Sequence, residues 1–140
     1  MGPTVRAAAH ARARSAITAR TRVVVAHSLG SVVAYEVLAD LPAPASLDLV
    51  TLGSPLGHRP VVGEGLRPAL QDGLGRWPTI VRHWTNITAV GDPVADGHPV
   101  DRVFFGVEER RIDNGHRPHD PEPYLCARAT GEAIARGLVV

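Results

Sequence analysis

A chain of 140 residues has room for one ordinary domain with a real core, but not for two independent ones. Its 15 basic residues, every one of them Arg, stand against 14 acidic residues for a formal net charge of +1, so no bulk field would draw it to nucleic acid or an anionic surface. Hydrophobic content of 44% fits a globular protein, no run approaches the roughly eighteen apolar residues of a membrane helix, and a lone Cys126 excludes an internal disulfide, which leaves the cytoplasm as the default compartment.

The opening stretch, MGPTVRAAAHARARSAITARTR, is rich in Ala and Arg and free of acids. That composition also suits a transit peptide, but the plainer expectation is a surface helix with small residues facing inward and Arg6, Arg12, Arg14 and Arg20 reaching outward. Val23–Ala26 is a continuous apolar run of the kind found in strands buried on both faces, which predicts a parallel sheet. Leu29–Leu41 carries Val33, Val37 and Leu41 at helical spacing and is ended by Pro42 and Pro44. LDLVTL, over Leu47–Leu52, predicts a second strand stopped by Gly53-Ser54-Pro55. His58–Pro78 is rich in Gly and Pro and reads as a long loop with at most one short helix, near Pro68–Leu74. Trp84–Val90 alternates and is β-prone up to Gly91-Asp92-Pro93, and Val103–Ile112 holds the fourth strand. A polar loop over Asp113–Pro123 leads into a terminal helix, Glu122–Leu138. The alternation predicts a single α/β domain over residues 1–140, a mostly parallel sheet of about four strands flanked by helices.

The break of VVVA into His27-Ser28-Leu29-Gly30 is the informative point. A buried strand turning sharply into a helix at a Ser between small residues makes a nucleophile elbow, in which the hydroxyl projects above the strand ends. The positions two before and two after the Ser, Ala26 and Gly30, are expected to be small because larger side chains would collide. The helix that begins after Ser28 aims its first amides at a developing oxyanion, with the Leu29 N–H as donor. The simpler reading makes Ser28 only the helix cap.

VVVAHSLGSVVAYE resembles the elbow of serine lipases and esterases of the α/β-hydrolase superfamily, and TLGSPLG, HWTNITAVGDPVA and PHDPEPYL are similar to their later strand ends in the same order. The resemblance implies a catalytic Ser, then an acid, then a His. Asp92, at an expected strand end, is the candidate acid, with Asp96 and Asp101 as competitors. His119 is the candidate base because it precedes the helix-opening run Asp120-Pro121-Glu122-Pro123, with Tyr124 close after, as in the resembling lipases; His116 is held in reserve. His27 is expected to point away as a packed or hydrogen-bonded neighbour, and His10, His58, His83 and His98 to be surface or loop residues. His116 and His119, with His83, His98 and Asp120 as recruits, carry only a weak metal-site spacing, so no metal or cofactor is expected.

The superfamily fold has about eight strands with the elbow after the fifth, so the resemblance implies that the N-terminal strands are missing here, and with them the loop holding the second oxyanion amide. Loss of one such donor costs on the order of a hundred- to a thousandfold in rate. It also leaves Val23–Ala26 as an apolar edge, to be covered by a partner or a missing N-terminal segment. The expected function is hydrolysis of a small-molecule acyl ester through an acyl-enzyme, by Ser28, His119 and Asp92 with the Leu29 amide. The alternative is a truncated, non-catalytic remnant or interaction domain.

Overall fold

The computed structural model describes residues 1–42 and 46–139. Pro3, its φ already set for a first helical turn, opens α1 (Pro3–Ala16). Strands β1 (Val23–His27), β2 (Leu47–Leu52), β3 (Val81–Ala89) and β4 (Glu108–Ile112) lie side by side in chain order, and every pairing is parallel. Helices α2 (Leu29–Ala39), α3 (Arg59–Val62), α4 (Pro121–Cys126) and α5 (Arg128–Leu138) complete an α/β architecture. Parallel neighbours need crossovers, and here the crossovers bring all the β-to-α connections to one rim of the sheet.

The period of two along the strands sorts the core into two layers. Leu47, Leu49 and Trp84 face Tyr35 and Leu38 of α2, together with Phe104. Val50, Leu52, Ile87 and Ala89 face the other way, toward Tyr124 of α4 and Ala129 and Ala133 of α5. Gly137 permits the close seat of α5, since a Cβ there would stand 2.4 Å from Val23 Cγ2.

Several expectations need correction. β1 is only half-buried along its length, while β2 is buried at every position. Among the described residues β1 pairs with β2 alone, so it is the expected edge and not a strand buried on both faces. The expected helix near Pro68–Leu74 is instead a tight turn in which Gln71 and Leu74 exchange backbone bonds of 2.9 and 3.0 Å around Asp72 and Gly73, both at positive φ. Asp-Gly turn chemistry outweighs helical spacing there, and the short helix of this region is α3. β3 starts earlier than Trp84, at Val81, with a register shift opposite Leu47 and Asp48 that leaves Arg82 and His83 exposed. Val103 and Phe104 are buried in the core ahead of β4 and not part of it. The terminal helix breaks at the extended Ala127, where Thr130 Oγ1 donates to the Tyr124 carbonyl at 2.6 Å. α2 ends at Ala39; Pro42 follows it, and Pro44 lies outside the described residues. Arg6 does not reach outward: it pairs with the buried Glu36, which also takes a 2.9 Å bond from His10.

Candidate active site

Ser28 occupies the link between β1 and α2 with φ 54° and ψ −129°, a conformation that a side chain with a Cβ adopts only under constraint. The constraint is visible in its bonds. Its N–H donates to the Leu52 carbonyl at 2.9 Å, continuing the β1–β2 ladder, and its carbonyl accepts from Ser31 N at 2.9 Å and Ser31 Oγ at 2.6 Å. Ser31 and Ser54, both fully buried, share a further 2.6 Å hydroxyl bond, which ties the elbow to the turn after β2. Ser28 makes no side-chain cap bond to α2, so the reading of it as a simple helix cap does not hold.

The Ser28 hydroxyl lies 2.9 Å from His119 Nε2. His119 Nδ1 in turn lies 2.8 Å from Asp92 Oδ1 and 2.9 Å from Oδ2. An ionised carboxylate only accepts, so Nδ1 carries the ring proton, and Nε2 of the neutral imidazole accepts from the serine hydroxyl. Asp92 is buried, and burial alone would raise its pKa; hydrogen bonds from Tyr124, His119 and the Val94 amide outweigh that cost and hold the carboxyl below its ordinary value of 3.8. The three groups come from loops after β1, β3 and β4.

The competing positions lie elsewhere. Asp96 accepts from the Gly91 amide at 2.8 Å and pairs with Arg111 at 3.1 Å. Asp101 and His116 are exposed. Among the other histidines, His83 lies 3.4 Å from Asp48, and the rings of His58 and His98 pack against each other, tilted, with centroids 4.0 Å apart. His27 donates from Nε2 to the His119 carbonyl at 2.7 Å, its ring tilted against that of His119 with centroids 4.9 Å apart: a hydrogen-bonded neighbour as expected, but one that turns toward His119 and not away. Sequence reasoning missed that contact, the Ser31–Ser54 bond, and the hydroxyl of Tyr124, which lies 2.5 Å from Asp92 Oδ2. The only signal for Tyr124 was its place five residues after His119 at a helix start.

A Cβ built on Gly30 meets no heavy atom within 4 Å, so an alanine would fit there as well as the glycine. The demanding position is Gly53, with φ +54°, where a Cβ would stand 2.7 Å from Asp92 Oδ2. Leu29 opens α2 beside Ser28, and its N–H belongs to the first turn, whose amides have no partner within the helix. No family model, curated protein or solved structure matches the chain. No helix among the described residues is long and apolar enough to cross a membrane.

Proposed function

We propose that this chain is a serine hydrolase of α/β-hydrolase type that cleaves a carboxylic ester. The observation that carries the reading is the unbroken chain of hydrogen bonds from Ser28 Oγ through His119 to the buried carboxylate of Asp92. A serine hydroxyl is a weak nucleophile at its ordinary pKa and reacts usefully only when a base takes its proton as it attacks. His119 Nε2 takes that proton, the Ser28 oxygen adds to the ester carbonyl, and Asp92 stabilises the imidazolium that results. His119 then gives the proton to the departing alkoxide, leaving an acyl-Ser28 that water, deprotonated by the same imidazole, hydrolyses. The Leu29 amide, at the positive end of α2, stabilises the tetrahedral oxyanion. The substrate is a small acyl ester; a free, exposed Cys126 suits a reducing compartment such as the cytoplasm.

Labelling of the purified chain with a fluorophosphonate tests this. The wild type is expected to label, and Ser28→Ala to lose the label entirely at unchanged fold. Equal labelling of the two would sink the assignment.

A second reading, an interaction domain, has its own observation in the half-buried β1 edge beside a groove of about 620 Å³ that includes Ala13, Ile17 and Val24. A properly folded wild type that fails to label would favour it.

A further inference from the structure

Tyr124 is fully buried, and its hydroxyl, which the mechanism above does not use, has two partners among the described residues. The oxygen lies 2.8 Å from the Ala89 amide nitrogen and 2.5 Å from Asp92 Oδ2. A backbone N–H can only donate, so the hydroxyl oxygen accepts from Ala89 and its single proton is committed to Asp92. We propose that Tyr124 is a positioning residue, whose hydroxyl locks the Asp92 carboxylate in the plane that holds His119 toward Ser28. The catalytic consequence rests on the hydrolase reading; the structural role does not.

The carboxylate is pinned from both ends. Oδ1 accepts from the Val94 amide at 2.8 Å and the Ala95 amide at 3.3 Å, while Oδ2 accepts from Tyr124. Rotation of the group would break one set or the other, so both oxygens stay within reach of His119 Nδ1. Gly53 closes the remaining side, since a Cβ there would meet Asp92 Oδ2 at 2.7 Å and the Tyr124 ring and hydroxyl at 3.1 and 3.2 Å. With Asp92 only 1% exposed, no solvent water stands ready to replace a lost donor. The ionisable groups nearby are His119, His27, whose ring lies 5.7 Å from that of Tyr124, and Asp96, which is tied to Arg111. Burial, followed by the bond to Asp92, pushes the phenol pKa well up, so Tyr124 carries its proton at neutral pH.

The test compares Tyr124→Phe with fluorotyrosines placed at position 124, which sharpen the phenol as a donor at nearly constant shape. Asp92 is followed by carboxyl carbon NMR, the His119 Nδ1 proton by its downfield resonance, and turnover with a p-nitrophenyl ester. Tyr124→Phe is expected to raise the Asp92 titration midpoint, to shift the His119 resonance, and to lower kcat roughly tenfold with KM within about twofold, the loss of one donor to a charged group. Fluorination is expected to move the Asp92 midpoint the opposite way, and it keeps the test decisive if the Phe variant fails to fold. An Asp92 midpoint and His119 resonance indifferent to every substitution would overturn the proposal. A wild type without Ser28-dependent labelling would instead sink the hydrolase reading, while the two NMR signals still decide what Tyr124 does.

Discussion

His119 stands 2.9 Å from Ser28 and 2.8 Å from Asp92 because single residues around the three hold unusual backbone or leave unusual space. Gly53 and Gly30 make the contrast. At Gly53 an added methyl would need positive φ, costing about 1–2 kcal/mol, and would press on Asp92. Gly53→Ala is therefore expected to lower the melting temperature and cut turnover sharply. Gly30, inside α2 with open space at its Cβ, should accept Ala with unchanged labelling and a gain of up to about 1 kcal/mol. Thermal melts and fluorophosphonate labelling of the two variants check both expectations; a Gly30→Ala that loses labelling would make glycine itself a requirement of the elbow.

Among the elements, α1 has no buried residue and a weak apolar face, so side-chain burial of its own cannot seat it. It is held by Glu36 of α2, which is 3% exposed and bonds Arg6, His10 at 2.9 Å and the Arg67 amide at 2.8 Å. One buried carboxylate thus joins α1, α2 and the loop after α3. Glu36→Ala leaves Arg6 and His10 free to return to water but strands the Arg67 amide, a cost of about 1–3 kcal/mol. Hydrogen exchange should then report faster amides across α1 and residues 66–68, with β2 and β3 unchanged. Uniform protection in α1 would mean that packing on α2 suffices.

For the whole molecule, the environments of buried Asp92 and half-buried Glu109 act in opposite directions on acid stability. Asp92 has a lower pKa folded than unfolded, so the folded state binds fewer protons; its stabilisation is full above the unfolded value near 3.8 and is lost as pH falls through the folded one. Glu109 runs the other way. Burial raises its pKa above 4.5 despite bonds from Asn86 and the Asp101 and Val100 amides, so its ionised form is a cost at neutral pH that shrinks as pH falls toward 4.5. The two effects oppose each other as pH falls. In denaturant unfolding followed from pH 7 to pH 2, the wild type should lose stability more steeply than Asp92→Asn as pH falls through and below 3.8, while the two curves run parallel above about pH 5. Asp92→Asn should also reduce turnover by roughly three to four powers of ten, because an amide can favour the wrong imidazole tautomer.

Local pattern by itself determined the α/β alternation, the elbow at Ser28 and the strand end at Asp92, since each is written in adjacent residues: an apolar run, a turn cluster, a helical spacing. It also placed His119 ahead of a helix, but the choice of His119 over His116 became a matter of distance only in three dimensions, where one imidazole bridges Ser28 and Asp92 and the other is exposed. The bulge that hides the start of β3 and the break at Ala127 were decided by contacts that no local window contains. The same holds for Tyr124: its hydroxyl reaches Asp92 because α4 crosses the end of β3, 32 residues away along the chain, and no spacing in the sequence encodes a contact made by packing.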